Sequence, residues 1–237
     1  MNPYKKITCE FVGTGFLLVS IVGSGIMGER LSGGSVALAL LCNSIATGGA
    51  LLALILTFGP FSGAHFNPVV TISEAIKGNI SSTFLPGYLA AQFFGALAGV
   101  LGTNVMFGLP TFTASTHARS GLPQFVSEVV ATFGLLTIIH FTAMFGPKVV
   151  APAIAAYITG AYWFLPSTSF ANPAVTLARA MTNTFSGIRP ADIFGFCVAQ
   201  ILGAALATGF SVWIHSNAEE HALRQHVGFD SVKETHE

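Results

Sequence analysis

Few side chains in this sequence have types and spacings that suggest chemistry, and they lie in or beside long apolar stretches. Ser62 and His65 are three residues apart in a glycine-bearing loop, a spacing that does not indicate a paired nucleophile and base. Glu10 and Glu128 are ionisable groups at or inside apolar segments, where such groups favour a functional role such as a proton relay. We therefore predict no catalytic residue and no enzyme.

The composition indicates a membrane protein. Hydrophobic residues make up 52% of the 237 residues and charged residues only 8%, whereas a soluble domain carries about a quarter charged residues. The formal net charge is zero, which argues against a nucleic-acid partner. The cysteines are odd in number, lack metal-ligand spacing and are interpreted as small buried hydrophobic residues: Cys9, Cys42 and Cys197. We expect a protein of the lipid bilayer with no metal site and no cofactor.

Two motifs interrupt the apolar sequence at matched positions, Asn67-Pro68-Val69 and Asn172-Pro173-Ala174. Asparagine is a strong helix N-cap, and proline fits the first helical turn, so each motif predicts the start of a helix. The segment 68–77 has room for about 15 Å of helix, roughly half a bilayer core. Each cap uses the side-chain oxygen, so we expect the amide N–H donors to stay free to face a polar site at the membrane midplane.

Outside these two half-helices, the lengths of the apolar stretches are close to the roughly 20 residues that a spanning helix needs. We place six spans near 7–27, 35–58, 85–107, 124–146, 149–165 and 191–215, with a polar tail over 216–237. Gly59-Pro60 and Gly146-Pro147 are among the pairs expected to separate the elements. Six spans put both termini on one side, and a modest excess of basic residues there favours cytoplasmic termini.

The two halves of the chain are repeats within a single domain, 1–237. The segment at Glu10 corresponds to that at Glu128, and Ala91-Gln92 corresponds to Ala199-Gln200, so the repeats cover about 7–107 and 124–215. With three spans per half, the second half must enter the membrane from the opposite side, which makes the repeats inverted. Small residues four apart, Gly95 with Gly99 and Gly203 with Ala207, predict close helix packing.

The stretch Ser62-Gly63-Ala64-His65-Phe66-Asn67-Pro68, together with the second Asn-Pro-Ala, resembles the major intrinsic protein family of aquaporins and aquaglyceroporins. The resemblance covers about residues 7–215. It implies an all-α membrane protein with six transmembrane helices, two re-entrant half-helices and inverted repeats, assembled as a homotetramer. It also implies that Glu10 and Glu128 hold the re-entrant loops by accepting hydrogen bonds. His65 either lines the inner pore or is a buried hydrogen-bonding residue, and His140 is expected to be a satisfied interhelical histidine.

The sequence departs from the family at the pore constriction. In aquaporins an arginine directly follows the second Asn-Pro-Ala, and here that position is Val175. The family's spacing puts the other filter positions on Thr47, Gly160 and Ser169, although a one-residue slip would replace Thr47 by Ala46 or Gly48. This uncharged set implies a wide, weakly polar constriction. We expect Arg179, one turn further along, to extend outward to the membrane surface rather than reach back to the filter.

These features favour a passive channel for small uncharged solutes. Glycerol-like polyols and water are the expected solutes, with urea and neutral metalloid acids such as arsenite or methylated arsenicals suggested by resemblance to bacterial members. The alternative is a secondary transporter that uses the broken helices as its midplane site, for which only Glu10 and Glu128 offer coupling carboxylates. We expect a multi-pass protein of the inner (plasma) membrane with both termini cytoplasmic.

Overall fold

The computed structural model describes the backbone of residues 3–233 and the side chains of residues 3–216, and its regular structure there is helical. The eight α-helices are α1 (Pro3–Leu31), α2 (Val36–Ser62), α3 (Pro68–Ile76), α4 (Leu85–Met106), α5 (Leu122–Thr142), α6 (Pro147–Phe164), α7 (Pro173–Arg179) and α8 (Ile193–Lys233). Six are long, and α3 and α7, which follow the Asn-Pro motifs, are short. The predicted all-α fold class is confirmed.

The long helices form two groups of three. In the first half α1 packs against α2 and α4, and in the second half α5 packs against α6 and α8. The groups meet where α2 packs against α6. The short helices contact each other, and each of them also contacts α4 of the first group and α8 of the second group. Both half-helices therefore lie between the two halves of the molecule.

The surface and lengths of these helices suit a bilayer. Five helical stretches among the described residues are long and apolar enough to cross a membrane. The sixth long helix, α6, has 18 residues, or about 27 Å, close to the roughly 30 Å of a hydrocarbon core. Large apolar side chains such as Phe94 and Trp213 are exposed. Lipid rather than water is the medium that such a surface requires.

Two predicted boundaries need correction. The pair Gly59-Pro60 does not end α2, which continues to Ser62. The turn comes at Gly63 instead, whose φ of 91° is left-handed and whose N–H donates to the Gly59 carbonyl at 3.0 Å, forming the C-cap that glycine favours. Near a helix end, proline removes only one hydrogen bond, so α2 tolerates it. Helix α8 continues to Lys233 and so extends into the predicted polar tail, 216–237. The side chains after Ser216 and the residues 234–237 lie outside the described part of the chain.

Close helix contact depends on glycine, as predicted. A methyl group on Gly95 of α4 would collide with the backbone carbonyl oxygen of Phe11 in α1, and one on Gly99 would collide with that of Gly15. The second half repeats this arrangement, because a methyl group on Gly203 of α8 would collide with the carbonyl of Val129 in α5. Glycine therefore allows α1 to pack closely against α4, and α5 against α8.

Candidate functional site

Each short helix begins at an asparagine whose side chain caps it. The Asn67 Oδ1 accepts a hydrogen bond from the Val69 N–H at 3.1 Å. The Asn172 Oδ1 accepts from the N–H groups of Ala174 and Val175 at 3.0 and 3.2 Å. Proline follows each asparagine at the start of the helix, so the local sequence dictates where both helices begin.

The two caps also bind each other's loops. Asn67 Nδ2 donates to the Ala171 carbonyl at 2.7 Å, and Asn172 Nδ2 donates to the Phe66 carbonyl at 2.8 Å. The expectation that both N–H groups of each amide stay free is therefore wrong, because one is used in this exchange. The other N–H of each amide has no partner among the described residues, and both asparagines line the cavity described below.

A buried carboxylate holds the first loop. One oxygen of Glu10 accepts from the Ser62 hydroxyl at 2.7 Å and the His65 N–H at 3.0 Å. The other accepts from the Phe66 N–H at 2.7 Å and the Gln92 amide at 2.8 Å. Phe66 has a left-handed φ of 50°, which costs a non-glycine residue about 1–2 kcal/mol. The charge-assisted hydrogen bond to its N–H offsets this cost.

The second loop is held in the same way by Glu128. Its oxygens accept from the N–H groups of Phe170 and Ala171, both at 2.9 Å, and from the Gln200 amide at 2.6 Å. Ala171 has a φ of 48° and, like Phe66, directly precedes a cap asparagine. The arrangement at Glu128 thus repeats that at Glu10, which is the support that the family resemblance implies for both residues.

A cavity of about 500 Å³ is lined by both cap asparagines and by residues of both halves. Toward the C-terminal end of α3, which we call the Glu74 end, it is lined by Lys6, Glu74 and Asn79. Toward the C-terminal end of α7, which we call the Arg179 end, it is lined by Thr47, Tyr162, Ser169, Val175 and Arg179. Apolar side chains, including Leu51, Leu135 and Ile154, line the part between. Apolar walls with a few polar groups are typical of sites for small molecules.

Of the predicted filter positions, Thr47, Ser169 and Val175 line the Arg179 end, but the prediction for Gly160 is wrong. Beyond Pro147 at its start, α6 lines the cavity with Val150, Ile154, Ile158 and Tyr162, which lie four apart and share one helix face. Gly160 is two residues from both neighbours and therefore lies on another face. Sequence reasoning missed Tyr162, although this four-residue spacing was a signal for it. Its hydroxyl lies 3.3 Å from Thr47 Oγ1.

The expectation that Arg179 extends outward to the membrane surface is also wrong. Its side chain is 2% exposed and lines the cavity with Val175, one turn earlier in α7. The guanidinium lies 3.4 Å from the centroid of the Phe170 ring, and its Nε donates to the Ser186 carbonyl. Helical side chains lean toward the N-terminus, and the aromatic ring offers a nearby face, so the side chain turns inward.

A second arginine lies behind the same ring, in the segment between α4 and α5. The Arg119 guanidinium is 5.0 Å from the Phe170 centroid and donates to the carbonyls of Gly187 at 2.8 Å and Ser167 at 3.3 Å. Its backbone N–H donates to Asp192 at 2.7 Å. Burial lowers the pKa of the Arg119 guanidinium. These bonds fix the loops that cover the Arg179 end.

Two histidines lie nearer the Glu74 end. His65 is half-buried and lines the cavity, and its Nδ1 lies 3.0 Å from Thr71 Oγ1, so it both faces the cavity and forms a hydrogen bond. His140 is buried, with Nε2 2.9 Å from Ser73 Oγ, which in turn lies 2.7 Å from Thr208 Oγ1. This chain joins α5, α3 and α8, as expected of an interhelical histidine.

Comparisons with known proteins agree with this geometry. The family model described as Major intrinsic protein matches residues 1–169. The aquaglyceroporin AqpS of Rhizobium meliloti (strain 1021) is 46% identical over 210 residues, which cover 89% of this chain and 90% of that protein. The probable aquaporin TIP2-2 of Oryza sativa subsp. japonica is 29% identical over 211 residues, covering 86% and 84%.

The fold also has a solved counterpart. The X-ray structure of the aquaglyceroporin from Plasmodium falciparum superposes with a TM-score of 0.68 over 88% of this chain and 95% of that chain. Because the two sequences are 20% identical, this likeness concerns the fold alone.

Proposed function

The chain belongs to the major intrinsic protein family, and on that premise we propose that it is a passive channel for small uncharged solutes. The observation that most supports this proposal is the cavity lined by both cap asparagines and by residues at the far ends of α3 and α7. The asparagines offer N–H donors to a passing hydroxyl or water. The N-terminal ends of the two half-helices oppose the passage of cations.

The use of the buried carboxylates favours a channel over a secondary transporter. A transporter normally needs a carboxylate that binds and releases a coupling ion. The oxygens of Glu10 and Glu128 instead accept hydrogen bonds from the loops and from Gln92 and Gln200. Release of these bonds at each cycle would remove the support of the loops.

The proposed solutes are glycerol-like polyols and water, with urea and neutral metalloid acids such as arsenite or methylated arsenicals as further candidates. The relative with 46% identity is an aquaglyceroporin by name, which supports the polyols. Val175 adds only two methyl groups to the constriction, which supports a range of solutes beyond water.

We also propose that the protein lies in the inner membrane with both termini cytoplasmic, and that it assembles as a homotetramer. Native mass spectrometry in mild detergent would contradict the tetramer if it detected only monomers.

A solute panel in proteoliposomes tests the function. Stopped-flow light scattering would follow water, glycerol, urea and neutral arsenious acid, with and without sodium and proton gradients. A channel gives glycerol flux that no gradient changes. Flux that requires a gradient would favour the transporter, and equal flux in protein-free liposomes would contradict both.

A further inference from the structure

Arg179 is a buried cation with no acidic partner among the described residues. The ion pairs of those residues involve Glu74 and Asp192, neither of which pairs with Arg179. The oxygens of Glu128, the carboxylate of the same loop, accept from Phe170, Ala171 and Gln200 rather than from a guanidinium. An arginine side chain is effectively always protonated. A positive charge therefore lies at this end of the cavity without a compensating negative charge.

The hydrogen-bonding capacity of Arg179 is also largely unused. Its Nε donates to Ser186, and its guanidinium face lies against Phe170, but Nη1 and Nη2 have no hydrogen-bond partner among the described residues. These nitrogens are not among the fully enclosed, unpaired atoms of the described residues, and the side chain lines the cavity. The free N–H groups are thus available to a molecule inside it.

A second, independent feature points to a ligand at this place. The hydroxyl of Ser169, a residue only 4% exposed, lines the cavity and has no hydrogen-bond partner in the described part of the chain. A buried polar group is normally paired, with protein or with a bound molecule. Ser169, Arg179 and the hydroxyls of Thr47 and Tyr162 border the cavity together, with Val175 as its apolar wall.

We propose that Arg179 determines selectivity at this end of the cavity. Arg179 lies one helical turn beyond Val175, the position at which aquaporins have an arginine. Its guanidinium donates to the oxygens of polyols and oxyacids and repels small cations. The inference rests on the proposed channel function, whose own test is glycerol flux. In this proposal, Arg179 supplies the positive charge that is missing at Val175.

Urea and guanidinium separate charge from size, because they have nearly the same planar shape and differ by one charge. We expect wild-type proteoliposomes to admit urea and exclude guanidinium. Arg179→Gln keeps a polar side chain without the charge, and we expect it to raise the guanidinium-to-urea permeability ratio roughly tenfold. Arg179→Lys keeps the charge and should retain the wild-type ratio. Arg30→Ala is the matched control, because Arg30 also lies over a phenylalanine ring but is exposed and outside the cavity.

An unchanged ratio in Arg179→Gln would overturn the proposal, whereas absence of glycerol flux in the wild type would instead overturn the channel function. If the Arg179 variants do not fold, labelling of the wild type decides. Methylglyoxal is a small neutral reagent for arginine, and peptide mass spectrometry locates the adduct. We expect labelling of Arg179 that glycerol suppresses, and labelling of Arg30 that glycerol does not affect. An unlabelled Arg179 beside a labelled Arg30 would contradict access from the cavity.

Discussion

One buried carboxylate in each half stabilises a loop that would otherwise be strained. The residues before the two cap asparagines, Phe66 and Ala171, have left-handed backbones, and the N–H of each donates to Glu10 or Glu128. A carboxylate suits this role because it only accepts hydrogen bonds and its charge strengthens each of them. These hydrogen bonds therefore account for the presence of an acid inside an apolar helix.

Replacing Glu10 with Gln tests this support. The amide keeps one acceptor but places N–H donors against the donors of the loop, so we expect a loss of about 3 kcal/mol in the free energy of unfolding. Thermal unfolding in detergent would measure the loss, and glycerol flux should fall with it. Glu29→Gln, an exposed change in the same helix, is the control. Equal melting temperatures for Glu10→Gln and the wild type would contradict the support role.

We expect the size limit of the constriction to depend on Val175, which lines the Arg179 end of the cavity. Val175→Arg places a bulky cation one turn from Arg179, so we expect glycerol flux to fall roughly tenfold while part of the water flux remains. Val175→Leu adds bulk without charge and should reduce glycerol flux much less. Stopped-flow swelling measures both fluxes. Glycerol flux that is unchanged in Val175→Arg would mean that this side chain lies outside the permeation path.

At the scale of elements, the two half-helices depend on each other. Helix α3 has nine residues and α7 has seven, about 14 Å and 10 Å, so neither spans the bilayer alone. Their caps exchange hydrogen bonds with the opposite loops, which holds both N-terminal ends at one place. Helices this short are marginal in isolation, and packing between the two groups of three long helices stabilises them.

Exclusion of cations should depend on the neutrality of both caps. In the double variant Asn67→Asp with Asn172→Asp, carboxylates replace the N–H donors between the positive helix ends. We expect a faster proton leak, measured with a pH-sensitive dye inside proteoliposomes. Asn183→Asp is the control, because Asn183 is exposed and its Oδ1 acts as an acceptor that aspartate keeps. A leak equal to that of the wild type would refute this account of the asparagines.

The contact between α1 and α4 should not tolerate a methyl group. Gly99→Ala would collide with the Gly15 carbonyl, and we expect a cost of about 1–3 kcal/mol, as in overpacked cores. Gly102→Ala in the same helix meets no atom within 4 Å and should stabilise α4 by about 0.5–1 kcal/mol. Thermal unfolding of the two variants gives the comparison. Similar melting temperatures would contradict the close packing.

At the scale of the molecule, local patterns predicted more than distant contacts. The Asn-Pro pairs, the apolar spans and the repeated glycines are short-range signals, and they predicted the helices and both caps. The inward turn of Arg179 depends on Phe170 and on Ser186 in the following loop, which helical spacing does not specify. The error at Gly160 has a different origin, because counting back from the second Asn-Pro motif did not use the four-residue spacing of Ile154, Ile158 and Tyr162 on one face of α6.

We propose that solutes cross passively through the cavity between the two halves. Passive permeation is tested most directly by the initial rate of glycerol entry into proteoliposomes, measured against glycerol concentration and temperature. We expect a rate that rises linearly without saturation and depends on temperature only about as weakly as diffusion in water. A rate that saturates and depends steeply on temperature would indicate a carrier that changes conformation in each cycle, and would contradict the account.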